Sequence, residues 1–242
     1  NRGVEIAIDG DVIRTKDFTW NLSANVSYNK NKLLELYNGV EEYVNSTTGL
    51  KYVVGHSVRE YFMNRYAGVN PANGDALWYT ADGELTTEFR EEDKVMTGKS
   101  FDSPWVGGFG TSLMWKGLSL SAQFSWMAKR YVMNNDRFFE ESNGLYSAYN
   151  QSKRLLYDRW KKPGDITDIP RYGVTAQLDD RFLENSSFLR LKNLTLAYAF
   201  PQSLLKKTNF FTSARVYLQG QNLLTWTGFT GLCLLYTSPS PR

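Results

Sequence analysis

The stretch from Asp17 to Asn29 most constrains what this chain can fold into. Its even positions are Phe18, Trp20, Leu22, Ala24, Val26 and Tyr28, all apolar or aromatic. Its odd positions are Asp17, Thr19, Asn21, Ser23, Asn25, Ser27 and Asn29, all polar. Side chains alternate across a β-strand, so this pattern describes a long strand with one apolar and one polar face. The apolar face is aromatic at both ends and small or aliphatic between. A membrane-spanning β-strand needs about 9–11 tilted residues bounded by aromatic girdles, whereas strands of globular proteins average about 5–6. A long strand over an aqueous core is the competing reading of this stretch alone.

The pattern recurs. Val4, Ile6, Ile8 and Val12 alternate with Glu5, Asp9 and Asp11. A turn near Arg14-Thr15-Lys16, with Ile13 opposite Asp17, would place Ile8 across from Leu22 and Val4 across from Val26, so that both apolar sets share a face. Trp105, Phe109, Leu113 and Trp115 occupy odd positions. After Lys116-Gly117, the residues Leu118, Leu120, Ala122, Phe124 and Trp126 occupy even ones. A two-residue hairpin pairs 115 with 118, so this parity switch keeps every apolar residue on one face. It also pairs Gly107 with Trp126, an aromatic covering a strand glycine. Further strands are expected over 188–200, with a bulge near Lys192-Asn193, and over 212–221, joined through Pro201–Phe210. Residues 31–103 and 129–186 lack sustained alternation; short strands are expected there near 51–54 and 76–80. Connections therefore run short, long, short, long, short, the rhythm of outer-membrane barrels, whose turns on one side are short and loops on the other long. Eleven residues at about 3.3 Å each, tilted about 45°, span roughly 25 Å, the height of the apolar band.

Composition agrees with a barrel. Mean hydropathy is −0.44 although 15% of residues are aromatic, as alternation requires. No run of 18 apolar residues exists, which excludes a spanning helix. With 28 basic and 25 acidic residues well mixed, nothing indicates a nucleic-acid partner. One Cys gives no disulfide framework. The chain opens in mid-pattern at Asn1-Arg2-Gly3 without Met or signal peptide, and is read as a piece of a longer protein.

Several stretches, in order, resemble SusC/RagA-type TonB-dependent transporters of the outer membrane of Bacteroidetes. They are Phe18–Asn31, Arg65–Asp75 (RYAGVNPANGD), Gly107–Gly110 (GGFG), Arg159–Arg171 (RWKKPGDITDIPR), Ser187–Tyr198 (SFLRLKNLTLAY) and Gln221–Thr227 (QNLLTWT). The resemblance covers residues 1–231 as the C-terminal part of the receptor barrel. It implies an all-β, antiparallel transmembrane β-barrel, of which about six of an expected 22 strands lie here, with long extracellular loops. It implies TonB-dependent import of oligosaccharides, sometimes peptides, powered through TonB–ExbB–ExbD, with a SusD-like surface lipoprotein as lid. The plug and TonB box are not among these residues. After Gly231 the chain leaves the family pattern, and residues 232–242 (LCLLYTSPSPR) read as a non-native tail of sequencing-adapter type, in which Cys233 carries no meaning.

No catalytic, cofactor-binding or metal-ligating residue is assigned, and the chain is not read as an enzyme. His56 is the sole His, too little for a zinc site. Glu41-Glu42, Glu140-Glu141 and Asp179-Asp180 are read as solvated loop charge, because adjacent strand residues point apart. Asn70–Asp75 lacks the alternating ligands and terminal Glu of a calcium loop and is read as a turn. Gly107–Gly110 lacks a phosphate loop's spacing and following helix. Tyr61, Phe62, Tyr66, Trp78, Tyr79, Tyr146, Tyr149 and Trp160 are candidates for stacking on sugars or on the lid, against packing within the loops. Trp20, Tyr28, Trp105, Trp115 and Trp126 are read as girdle residues that meet membrane lipid. A passive porin and a secreted carbohydrate-binding or hydrolase β domain are the alternative functions.

Overall fold

The computed structural model describes residues 1–45, 50–208 and 210–231, so the residue 232–242 tail lies outside the described residues. Two compact units make up the chain. The first is one six-stranded antiparallel sheet: β1 (Arg2–Arg14), β2 (Phe18–Lys30), β3 (Trp105–Trp115), β4 (Leu118–Ala128), β5 (Phe188–Ala199) and β6 (Arg215–Thr227). Spatial order follows sequence order, an up-and-down meander. The second unit holds residues 31–102 and 130–186 and the segment from Phe229.

Register carries the apolar side chains across the sheet in continuous rows. One runs Ile6, Val26, Gly107, Trp126, Leu189, Trp226. The next runs Ile8, Ala24, Phe109, Phe124, Leu191, Leu224. Lower rows hold Trp20, Leu113, Leu120, Leu196, Leu218 and then Phe18, Trp115, Leu118, Tyr198, Val216. Phe109 stacks on Phe124 at 4.6 Å and Tyr28 meets Trp105 at 4.5 Å. This face is open: Ile8 is 67% exposed and Leu218 76%. Such a continuous apolar surface fits lipid, not water.

The β3–β4 hairpin pairs as expected, from Trp115↔Leu118 to Gly107↔Trp126. Its turn residues Lys116 (φ 46°) and Gly117 (φ 90°) both adopt the left-handed conformation of a tight two-residue hairpin. A Cβ on Gly107 would lie 2.8 Å from the Trp126 ring and 2.4 Å from the Asn25 carbonyl. The bulge on β5 falls at Lys192, which both neighbouring strands skip.

Two boundaries and one register differ from expectation. In the first hairpin Ile8 faces Ala24 and Val4 faces Tyr28, two residues away from the expected pairing. Thr15 sets this: its N–H and hydroxyl both reach the Phe18 carbonyl, at 2.8 and 3.1 Å, closing the turn over 15–18. A bulge at Val12 then absorbs one residue and brings Ile13 opposite Trp20. The two-residue shift preserves the face, which is why alternation alone did not resolve it. The last strand continues to Thr227 rather than ending at 221. Asn222 takes φ 52° and, with Leu223, bulges opposite Lys192, so Leu224 and Trp226 keep the parity of Val216 and Leu218 on the apolar side. The strand begins at Arg215, three residues later than expected.

The second unit is more ordered than its sequence suggests. Expected strands appear at Lys51–Val53 and Ala76–Tyr79, joined by Glu42–Val44, Glu60–Met63, Arg65–Val69, Leu85–Thr86, Val95–Ser100, Tyr131–Met133 and Leu183–Asn185. Most are too short for periodicity to register. They enclose a core of Met63, Trp78, Val132, Leu155, Ile169 and the fully buried Phe182. Among the described residues no helix is long and apolar enough to cross a membrane.

The two faces make opposite predictions for a buried charge. In the full-length protein, Ala24→Arg and Leu120→Arg should each cost about 2–4 kcal/mol near the bilayer midplane. Ser121→Arg, on the other face, should cost clearly less. Urea unfolding in phospholipid vesicles measures this, and equal costs for the three would break the face assignment.

Candidate functional site: a polar wall and a loop body

The reverse side of the sheet is small and hydrophilic. Its central rows read Asn25, Gly108, Ser125, Arg190, Thr225 and Ser23, Gly110, Gln123, Asn193, Gln221. Cross-strand hydrogen bonds tie them: Asn193 Nδ2 donates to Gln123 Oε1 at 3.1 Å, and Arg190 Nε to Thr225 Oγ1 at 2.9 Å. A shallow cleft of ≈ 810 Å³ follows this sheet, lined by Asp9, Ser23, Asn25, Gln123 and Ser125 beside the glycines. Its hydroxyls and amides are joined there by the charged side chains of Asp9, Arg190 and Lys192.

The loop body is built around two of the stretches that carry the family resemblance. Asn70–Asp75 is a turn, as its sequence indicated. The Asn70 N–H donates to the Asp75 carbonyl at 2.8 Å, and its side chain accepts from the Ala72 N–H at 3.0 Å. Arg159–Arg171 clasps it. Trp160 Nε1 donates to the Pro71 carbonyl at 3.2 Å, Arg171 N–H donates to the Gly74 carbonyl at 2.9 Å, and Arg171 Nε donates to Asp75 at 3.0 Å. Gly74 (φ +78°) sits against Trp160: a Cβ on it would lie 2.4 Å from the ring. Only glycine combines that conformation with that approach.

Beside this clasp sits a charged network that no local motif announced. Arg154 makes two forked pairs, to Glu141 at 2.7 and 2.9 Å and to Asp168 at 2.6 and 2.8 Å. Arg137 joins Glu141 at 3.0 Å and Asp168 and Glu184 at 3.3 Å each. Asn134 and Thr230 also donate to Glu184. Burial works against the Asp168 carboxylate, but Arg154 and Arg137 outweigh it and hold its pKa below the usual value. Glu184 is likewise lowered: burial is outweighed by hydrogen bonds from Thr230 and Asn134 and by the Arg137 charge. Asp179 shows the opposite balance. Burial raises its pKa despite Arg181 and a 2.9 Å hydrogen bond from Trp78 Nε1. In sequence only Arg137 and Glu141, four apart on a helix, hinted at the network.

The structure corrects the reading of two carboxylate pairs as solvated charge. Glu141 is buried at the centre of the arginine network, and Asp179 is fully buried against Trp78 and Arg181. Asp180 accepts from the Tyr66 N–H and pairs with Lys99. Burial became possible because each gained guanidinium or indole partners from distant sequence. Glu42 pairs with Lys51 and stays exposed. His56 hydrogen-bonds Glu60 at 3.0 Å. Among the described residues no three His, Cys, Asp or Glu side chains gather as metal ligands. Trp78 packs edge-on to Tyr66 and Phe89, and Tyr66 lies beneath Arg181 at 4.1 Å with its pKa pushed by burial up to about 12. Trp160 belongs to the clasp. These aromatics serve loop packing; Tyr149, 62% exposed, keeps a free surface.

A row-patterned antiparallel meander with one apolar and one polar face defines a segment of outer-membrane barrel wall. Comparison with known proteins places it further. No family model matches. The TonB-dependent receptor P3 of Formosa agariphila is 29% identical over 96% of this chain and 24% of its own length. The TonB-dependent receptor SusC of Bacteroides thetaiotaomicron is 27% identical over 96% and 24%. The solved structure of the RagAB peptide transporter aligns with a TM-score of 0.87 at 37% identity, covering 95% of this chain and 26% of that one. The chain belongs with the SusC/RagA-type TonB-dependent transporters and spans about a quarter of the length of the relatives it matches.

Removing Arg154 leaves the buried Glu141 with Arg137 alone. Arg154→Met should cost about 3 kcal/mol, the low end for a broken buried pair because Arg154 is itself partly exposed. Amide hydrogen exchange across 131–133 and 183–185 should rise accordingly. Acid should act on the same network. Asp168 and Glu184 have lowered pKa values, so their stabilisation is complete above the ordinary carboxylate range and is lost as pH falls through the lowered values. The raised Asp179 works in the other sense, its contribution being present in acid and lost as pH rises. Asp168→Asn should therefore flatten the acid-side loss of loop protection, measured by hydrogen exchange on either side of the carboxylate range.

Proposed function

We propose that this chain supplies part of the wall and part of the external loop body of a TonB-dependent importer of the outer membrane. The observation that carries this is the two-faced six-stranded sheet, aligned at a TM-score of 0.87 with a peptide transporter. Its apolar rows meet lipid, its polar rows face the transport lumen, and residues 31–102 and 130–186 form loops on the extracellular side. On this reading the cargo is an oligosaccharide or a peptide, a SusD-like surface lipoprotein closes over it, and TonB with ExbB and ExbD supplies force through a plug encoded elsewhere in the protein. No side chain here performs chemistry on the cargo. The likeness to RagAB supports peptides as cargo, and the resemblance to SusC supports oligosaccharides.

Cells carrying the full-length protein should take up a labelled oligopeptide or oligosaccharide, and deletion of TonB should abolish that uptake. Uptake that persists without TonB would identify a passive porin instead. Recovery of the intact protein in the soluble fraction would identify a secreted β domain.

A further inference from the structure

The connections at the short-turn end of the sheet differ in charge from the rest of the chain. Residues 14–18, 115–118 and 199–215 carry Arg14, Lys16, Lys116, Lys206, Lys207 and Arg215 against a single acid, Asp17. That positive balance exceeds the net +3 of the entire chain, so the remainder is net acidic. All six cations are exposed. Only Arg14 has an ion-pair partner among the described residues, Asp11 at 3.3 Å. Mutual repulsion among unneutralised cations disfavours the cluster unless something anionic meets it.

The cations sit just beyond an aromatic row. Phe18, Trp115 and Tyr198 close the apolar face at this end, Phe200 packs on Tyr198 at 5.2 Å, and Lys116 lies 5.7 Å from the Trp115 ring. Phe210 is 83% exposed and Phe211 54%. Apolar band, aromatic ring and cations in that order match the layers of a bilayer interface, from hydrocarbon to phosphate. Successive connections are two strands apart, roughly 10 Å, which is about one Debye length at physiological salt. Their potentials therefore merge into one surface.

We propose that this end of the sheet docks on anionic phospholipid headgroups, with Lys16, Lys116, Lys206 and Lys207 meeting the phosphates and Phe210 and Phe211 entering the interface. The inference rests on the barrel reading above and adds a lipid preference to it. Charge complementarity selects the occupant: clustered basic side chains beside a membrane bind acidic headgroups.

The test uses the full-length protein in phosphatidylcholine vesicles with and without phosphatidylglycerol, reading lipid retained on the protein by native mass spectrometry. Wild type should retain phosphatidylglycerol over phosphatidylcholine by roughly ten-fold or more. The variant Lys16→Gln/Lys116→Gln/Lys206→Gln/Lys207→Gln should lose that preference. A control with Lys32, Lys153, Lys161 and Lys162 changed to Gln in the loop body should keep it. Equal preference in all three proteins, or none in an inserted wild type, overturns the inference while leaving the barrel intact. Displacement by inorganic phosphate at constant ionic strength would assign the surface to a free anion and overturn it too. Failure of the wild type to insert at all would overturn the barrel reading itself.

Discussion

The six-stranded sheet depends on satisfying backbone hydrogen bonds where water is absent. An extended strand in hydrocarbon needs neighbours on both sides, because each unmet N–H or C=O costs several kcal/mol. The meander meets that demand for β2–β5 by pairing each strand with the next, and the alternation then sorts side chains to the apolar or the polar face without further instruction. The bulge at Val12 and the bulge at Lys192, which faces the left-handed Asn222, are the two places where the sheet adjusts register so that the apolar rows stay continuous.

The same economy explains the glycines. Gly107 yields its place on the lipid side to Trp126, while Gly110 would bring a Cβ to 2.8 Å of Ser23 Oγ on the lumen side. Strand interiors disfavour glycine, so these positions are held by close approach of neighbours. The loop body solves a different problem. It cannot alternate, so it builds a small core of its own and fixes it with guanidinium–carboxylate forks and the Gly74–Trp160 contact. The buried Glu141 at its centre is paired and hydrogen-bonded by both Arg137 and Arg154.

Sequence by itself determined the strands of the wall, the face each residue takes, the full β3–β4 register and the bulge at Lys192. Period-2 patterning reports face directly, and a two-residue turn leaves no freedom of register. It also brought out the clasped stretches 70–75 and 159–171 as motifs, though not that they touch. Tertiary structure decided the rest. The first hairpin shifted by two residues because Thr15 chose the turn, and a shift of two is invisible to alternation. Glu141 and Asp179, which in sequence look like ordinary loop carboxylates, are buried because folding brings Arg154 to the first and Trp78, from far along the chain, to the second. A carboxylate's environment is set by partners that folding delivers, whereas a strand's two faces are already written in its neighbours.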